Sequence, residues 1–336
     1  LAHLYDFWVD NWYSPQEWHQ TTGRPAPAEP SVTAYAVGGI DSEDVVAYYS
    51  RRANAVLFFN SSYYGQLKSW VLGAVGRILA EQYGIHSIHG ACVEYNGKGV
   101  LYIAPTGTGK STSSYGLMQL PQTRFHSDDW VYLRYTLPLR SGERVSPFQV
   151  EVEGEGQVSG SKLFSKLPQV PAEAKVKALT LDGDVLKCRA GDLERDAPLE
   201  AYAYISEKTF YLRTNLVESF PRAAPQLLSS KCENVPNVQW SFLALNQATI
   251  AAIVQALNSD QAGPPQSLPH PSQEELARQA GRLFAFHNSR AMLDMTHILP
   301  PERVYTNPLE PLPLRTVFLL KREAQDPVIL QTLDLD

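Results

Sequence analysis

A glycine-rich segment in the first half of the chain has the residue types of a phosphate-binding loop. The run Ala104-Pro-Thr-Gly-Thr-Gly-Lys-Ser111 fits the pattern G-x-x-x-x-G-K-[ST], except that alanine stands where the first glycine is usual. In such a loop backbone N–H groups turn toward phosphates, Lys110 reaches the outer phosphates, and the Ser111 hydroxyl can bind Mg²⁺. The predicted nucleotide-binding residues are Thr106, Gly107, Thr108, Gly109, Lys110, Ser111 and Thr112.

Two adjacent carboxylates follow the loop. Asp128 and Asp129 interrupt a strand-like stretch at 124–135, and His89 lies in an earlier strand-like stretch at 87–95. Phosphoryl transfer uses one carboxylate to hold Mg²⁺ and another to accept the proton of the acceptor hydroxyl. The pair therefore predicts metal binding and proton transfer beside the loop, with a turn or a helix cap as the alternative, and His89 is either a site residue or a core histidine.

The hydrophobic pattern predicts the elements that position these groups. An apolar run at 100–104 predicts a buried strand that the loop ends, and a helix is predicted at 111–118. The turn Asn96-Gly-Lys-Gly99 predicts an antiparallel hairpin that joins this strand to the one at 87–95. The loop strand and the strand of His89 are thus predicted to be neighbours.

The rest of the chain is predicted to contain both helices and strands. Apolar residues at three- and four-residue steps predict a long helix at 63–83, and further helices are predicted at 239–257 and 273–286. Turn residues at 51–54 and 181–184 predict two more hairpins. No internal repeat is evident.

Composition and charge restrict the class of protein. The chain has 336 residues, 44% of them apolar, and a net charge of −6 without a basic cluster, so neither nucleic-acid nor membrane binding is expected. No apolar stretch has the length of a membrane span, and the N-terminal residues lack a basic segment followed by an apolar one. We therefore expect a soluble, cytoplasmic protein.

Taken together, these motifs resemble the catalytic domain of HPr kinase/phosphorylase, a family with the phosphoenolpyruvate-carboxykinase-like P-loop fold. The resemblance covers the run from His89-Gly90 through the hairpin to Ser111, and then Asp128-Asp129. It implies ATP and Mg²⁺ as cofactors, a mixed β-sheet, and a possible homo-oligomer. The hairpin turns independently predict the same mixed sheet.

The resemblance also implies roles for individual residues. It makes Asp128 the catalytic base, oriented by His89, and Asp129 a metal ligand beside Ser111, although the exchanged roles of the two acids remain open. Lys110 completes the catalytic set. The segment Glu151-Val-Glu-Gly-Glu-Gly156 resembles the family segment E-[IV]-R-G-x-G and implies Glu151 as a further metal ligand, with glutamate in place of the arginine.

The predicted fold class is α+β or α/β, with a mixed β-sheet core that contains the P-loop and is flanked by helices. Residues 1–84 are predicted to form an N-terminal hairpin and helix region, which packs on a kinase core at 85–336 or is continuous with it. An aromatic arm at 1–31 is expected to pack on its own domain or on a partner subunit.

The acceptor half of the site is less defined by sequence. Polar clusters bordered by apolar runs could hold a carboxylate or phosphate of the acceptor, although helix caps and surface ion pairs explain the same clusters. The candidate residues are Arg213, Asn215, Lys231, Asn234 and Arg290.

These observations predict an ATP- and Mg²⁺-dependent kinase. Its acceptor is expected to be a hydroxyl of a small molecule, such as an amino acid or polyol, or of a serine in a peptide or protein. The alternatives are a non-catalytic nucleotide-binding regulator or scaffold and an enzyme of the phosphoenolpyruvate-carboxykinase type.

Overall fold

The computed structural model describes most of the first two thirds of the chain and part of its C-terminal region. The described residues are 2–41, 44–61, 63–154, 156–213, 216, 220, 232–233, 290–321, 323, 325 and 331–333. The helices predicted at 239–257 and 273–286 lie outside these residues, and so do Asn215, Lys231 and Asn234.

Five α-helices lie in the described part of the chain. They are α1 (Ala2–Asn11), α2 (Pro15–Thr22), α3 (Tyr64–Ile78), α4 (Lys110–Leu117) and α5 (Gly160–Lys166). A π-helical turn, Leu79–Tyr83, extends α3 to Gly84, whose φ of 64° ends the helix. The structure therefore confirms the helix predicted at 63–83.

The described strands are more numerous than the helices. They are β1 (Thr33–Val37), β2 (Val46–Ser50), β3 (Ala55–Phe59), β4 (Ile85–Tyr95), β5 (Lys98–Ile103), β6 (Thr123–Ser127), β7 (Trp130–Pro138), β8 (Arg144–Val152), β9 (Gly156–Ser159), β10 (Lys175–Thr180), β11 (Val185–Arg189), β12 (Glu200–Ile205), β13 (Phe210–Arg213), β14 (Cys232–Glu233), β15 (Arg290–Leu293) and β16 (Leu312–Leu319). The hairpins β2–β3, β4–β5 and β10–β11 confirm the predicted turns.

Ten of these strands form one mixed sheet, in the order β11-β10-β8-β7-β12-β16-β5-β4-β6 with β9 beside β8. β16 runs parallel to β5, whereas the other pairs in this sheet are antiparallel. β4 pairs with β7 through its first half and with β5 through its second half. Because β7 also pairs with β12, and β12 with β16, the pairings of β4, β5, β16, β12 and β7 close into a ring.

A hydrophobic core lies within this ring of strands. Its buried members are Cys92, Leu101, Val131, Leu133, Ala203, Ile205, Tyr305 and Leu312. Burial of these apolar side chains stabilises the strands from which the glycine-rich loop and the acid pair project. The chain thus has a mixed α+β architecture with one large mixed sheet.

The N-terminal arm forms helices α1 and α2, although its sequence has no clear helical period. Phe7 of α1 packs against Tyr64 of α3, with ring centroids 5.3 Å apart, and against Tyr211 of β13 at 5.9 Å. The arm therefore packs on its own chain. None of the helices in the described residues is both long and apolar enough to cross a membrane.

Candidate active site at the glycine-rich loop

The glycine-rich loop, residues 104–109, connects β5 to α4. Gly107 and Gly109 have φ angles of 83° and 97°, a region that side chains disfavour, so both positions require glycine. Thr108 donates a hydrogen bond from Oγ1 to the carbonyl of Pro105 at 2.6 Å, which closes the turn. Because α4 begins at Lys110, the loop ends at a helix N-terminus, where unpaired backbone N–H groups favour anions.

A cleft of about 600 Å³ opens at this loop and collects residues that are far apart in sequence. It is lined by Gly65, Lys68, Ser69, His89, Pro105, Thr106, Gly107, Gly109, Lys110, Ser111, Thr112, Tyr115, Asp128, Asp129, Tyr211, Arg213 and Leu216. All of the predicted phosphate-binding residues except Thr108 line it, together with both acids and the histidine. The cleft therefore brings the predicted donor and proton-transfer groups together.

Asp129 lies at the centre of an ionic cluster in the cleft. Its Oδ1 is 2.8 Å from Nε2 of His89 and 3.1 Å from Nζ of Lys110. Lys110 Nζ is also 3.0 Å from the same His89 nitrogen. Nε2 can donate to Asp129 only when it carries a proton, and it can accept from Lys110 only when it does not, so the two contacts compete.

The charges around Asp129 keep it ionised. Burial opposes ionisation, but the hydrogen bond from His89 and the charges of Lys68 and Lys110 hold the pKa of the Asp129 carboxyl well below its usual range. The backbone is fixed too, because Gly90 of β4 donates its N–H to the carbonyl of Asp129 at 2.9 Å. Asp129 is thus a carboxylate held in place by β4 and α4.

Asp128 has a different environment although it is the adjacent residue. It is buried, with 7% of its surface exposed, and its Oδ2 lies 3.4 Å from the hydroxyl of Ser111. Its Oδ1 has no hydrogen-bond partner of regular geometry among the described residues, although the buried Tyr115 hydroxyl lies near enough to the carboxyl to oppose the rise of its pKa. Burial, followed by the charge of Asp129, raises the pKa of the Asp128 carboxyl to about 6.

The geometry at Asp128 fits a divalent cation. A buried carboxylate with an unpaired oxygen, next to a hydroxyl at the start of a helix, is the protein share of a Mg²⁺ site in many nucleotide-binding proteins. No group of three or more His, Cys, Asp or Glu side chains that could hold a metal occurs in the described residues. A cation here would therefore need additional ligands such as phosphate oxygens and water.

Lys68 also lines the cleft and is paired with the buried Glu207, and neither residue was singled out from the sequence. Lys68 of α3 is 3% exposed at its side chain, and its Nζ forms a hydrogen bond of 2.8 Å with Glu207 Oε2. The same Nζ is 3.8 Å from Asp129 Oδ2. The available signal was a lysine inside the apolar stripe of α3, between Leu67 and Val71, because a charge buried at such a position has to be paired.

Glu151 is not brought to the cleft. It lies on β8 with its side chain 44% exposed, and it forms an ion pair with Lys177 of β10 at 3.1 Å. It also accepts a hydrogen bond from Gln157 of β9. The structure therefore places Glu151 in a cross-strand polar group and gives it no contact with Ser111 or the acid pair, contrary to its expected role as a metal ligand.

The candidate acceptor residues are only partly described. Arg213 lies at the end of β13 and lines the cleft. Arg290 lies directly opposite it in the backbone register of β13 and β15. These two candidates are thus brought to neighbouring strands, whereas the predicted roles of Asn215, Lys231 and Asn234 concern residues outside the described part.

No protein-family model matches the chain, and neither does any curated protein sequence. A functional interpretation therefore depends on the residues and geometry of the cleft.

Proposed function

We propose that this protein is an ATP- and Mg²⁺-dependent kinase that transfers the terminal phosphoryl group of ATP to a hydroxyl. The observation that carries the proposal is that the glycine-rich loop, Lys110 and the acid pair share one cleft. The resemblance to the HPr kinase/phosphorylase catalytic domain supports the same chemistry. The proposed acceptors are small hydroxyl compounds, such as amino acids or polyols, and serine side chains of peptides.

The donor half of the proposed site is the loop and the start of α4. Backbone N–H groups at 106–110 hold the phosphates, and Lys110 leaves Asp129 to bind the outer phosphate. Ser111 and Asp128 would hold Mg²⁺, and the bound ion would supply the positive charge that neutralises the phosphates. Of the two Asp128 oxygens, Oδ1 lacks a hydrogen-bond partner among the described residues and would be available to the cation.

The contacts favour one of the two role assignments that the sequence leaves open. His89 contacts Asp129 rather than Asp128, and the Ser111 hydroxyl contacts Asp128 rather than Asp129. We therefore assign metal binding to Asp128 and proton acceptance to Asp129, whose low pKa rises when Lys110 turns to the phosphates, because the lysine charge then no longer favours the carboxylate. Once Lys110 has turned to the phosphates, His89 donates its Nε2–H to Asp129 and fixes the direction of that carboxylate.

The proposed reaction balances as a direct transfer. The acceptor oxygen forms a bond to the terminal phosphorus, and the bond from that phosphorus to the bridging oxygen breaks. ADP keeps the electron pair of that bond, and Asp129 takes the hydroxyl proton. Arg213, which lines the cleft, would bind an anionic group of the acceptor.

An acceptor screen tests the proposal. Purified protein with Mg²⁺ and radiolabelled ATP is incubated with amino acids, polyols and short serine peptides, and ADP release and labelled product are measured. Asp129→Asn is expected to lower kcat by at least about 100-fold and to change the affinity for a non-hydrolysable ATP analogue only several-fold. Asp184→Asn, at an exposed turn outside the cleft, is the matched control.

Two outcomes would contradict the kinase proposal. If the protein binds ATP but labels none of these acceptors, a nucleotide-binding regulator becomes the better interpretation. If it binds no nucleotide, or if Lys110→Met leaves nucleotide affinity unchanged, the loop is not a phosphate site.

A further inference from the structure

Lys68 brings a second ammonium group to Asp129, nearest the carboxylate oxygen that Lys110 does not contact. Lys110 Nζ lies 3.1 Å from Asp129 Oδ1, and Lys68 Nζ lies 3.8 Å from Asp129 Oδ2. The first lysine belongs to the loop and the second to α3, 42 positions earlier in the sequence. The two cations therefore flank the carboxylate that we propose to accept the proton.

The Lys68 ammonium is held by buried polar residues. Glu207, which is 1% exposed, accepts hydrogen bonds from Lys68 Nζ at 2.8 Å and from Asn11 Nδ2 at 2.9 Å. Asn11 in turn accepts a hydrogen bond from the hydroxyl of Tyr64 at 2.7 Å. This series of hydrogen bonds fixes the position of Lys68, because each side chain in it is buried and hydrogen-bonded to the next.

Lys68 retains donor capacity toward the cleft. An ammonium group carries three N–H donors, and the one hydrogen bond that Lys68 makes within the described part of the chain goes to Glu207. Removing a lysine from water costs free energy. The ion pair with Glu207 would offset that cost wherever the pair lay, so it does not explain why Lys68 lies close to Asp129. Lys68 lines the cleft, and its Nζ, at 3.8 Å from Asp129 Oδ2, is beyond hydrogen-bond distance of that carboxylate, so its remaining N–H donors are available to an anion that enters there.

We infer that Lys68 is a ligand of the phosphoryl group during its transfer. This inference rests on the proposed kinase function. In the transfer, negative charge lies on the equatorial oxygens of the phosphoryl group between Lys110 and the acceptor. A lysine fixed beside Asp129 donates to one of these oxygens while Lys110 binds another.

Nucleotide selectivity tests this role without knowledge of the acceptor. The affinities of a non-hydrolysable ATP analogue and of ADP, each with Mg²⁺, are measured by calorimetry for the wild type and for Lys68→Met. The variant is expected to lose at least about tenfold in affinity for the ATP analogue relative to ADP, because only the former carries the terminal phosphoryl group. A purely structural role would change both affinities equally.

A second variant and a control separate the effect from misfolding. Lys68→Met leaves Glu207 without its cation, so the double variant K68M/E207Q removes both charges and is used if the single variant fails to fold. Lys208→Met is the control, because Lys208 forms an ion pair with Glu17 and does not line the cleft. The control is expected to keep the wild-type ratio of the two affinities.

The outcomes distinguish this inference from the proposed function. An unchanged ratio of ATP-analogue to ADP affinity in the folded Lys68 variants overturns the role of Lys68. If Lys110→Met still weakens nucleotide binding in that case, the proposed nucleotide site is supported but Lys68 has no role in it. If the wild type binds neither nucleotide, the proposed function itself fails.

Discussion

Asp128 is expected to destabilise the folded protein at neutral pH, so its replacement by asparagine should stabilise the fold. Burial and the charge of Asp129 raise the pKa of the Asp128 carboxyl from 3.8 to about 6. That difference corresponds to about 3 kcal/mol of unfavourable free energy for the ionised side chain. Asparagine has nearly the same shape, carries no charge, and can still accept a hydrogen bond from Ser111.

The sign of the effect follows from proton binding. Between pH 3.8 and about 6 the folded state holds a proton that the unfolded state has lost, so the folding stability due to this group falls as the pH rises. The loss of folding stability caused by ionised Asp128 reaches its full size above pH 6 and is nearly absent below pH 3.8. We therefore expect Asp128→Asn to gain about 3 kcal/mol at pH 7.5 and less than about 1 kcal/mol at pH 4.

Urea unfolding of both proteins at these two pH values, without Mg²⁺ or nucleotide, measures the difference. Asp184→Asn is a suitable control because Asp184 is exposed in the turn between β10 and β11, where neutralisation should change stability little. A gain of the same size at both pH values, or a loss at pH 7.5, would refute the reasoning. If Asp128 holds Mg²⁺ as proposed, adding Mg²⁺ and ATP should stabilise the wild type more than the Asp128→Asn variant and so reduce the gain at pH 7.5.

Three further predictions concern stability and are checked by urea unfolding. Phe7→Ala removes the α1 ring that packs on Tyr64 and should cost about 3–5 kcal/mol, whereas a loss below about 1 kcal/mol would mean that the arm is not anchored there. Arg303→Met removes donors to three backbone carbonyls after α4 and should cost about 2–4 kcal/mol, and no loss would contradict this role. Gly90→Ala brings a Cβ within 2.9 Å of a backbone oxygen of β5 and should cost about 1–3 kcal/mol. Gly73→Ala, in open space on α3, should instead gain up to about 1 kcal/mol, and equal effects at the two glycines would refute the steric argument.

Local structure around the loop was predictable because it depends on neighbouring residues. The turn at Asn96 and Gly97 has φ angles of 50° and 76°, and few residues other than asparagine and glycine adopt such angles readily. The apolar run that becomes β5 and the two positive-φ glycines of the loop are similarly local signals. These features predicted the strand, the loop and the helix in their observed order.

The N-terminal helices and Glu151 show where such reasoning fails. Phe7 of helix α1 packs on both α3 and β13, so the buried face of this helix is set by long-range contacts rather than by a period in its sequence. Glu151 lies in a segment with a suggestive local pattern, but the cross-strand register pairs β8 with β10 and brings Lys177 beside it. Register is a property of the sheet and cannot be derived from the segment alone.

By itself, the sequence determined the chemical groups available to this protein: a glycine-rich loop, a lysine and a hydroxyl at its end, two adjacent acids and a histidine. It also determined the hairpin that makes the loop strand and the histidine strand neighbours. Only the tertiary structure decided that His89 contacts Asp129, that Ser111 contacts Asp128, and that Lys68 enters the same cleft. The physical reason is that strand pairing and helix packing join residues distant in sequence, and burial then decides which charges must be paired.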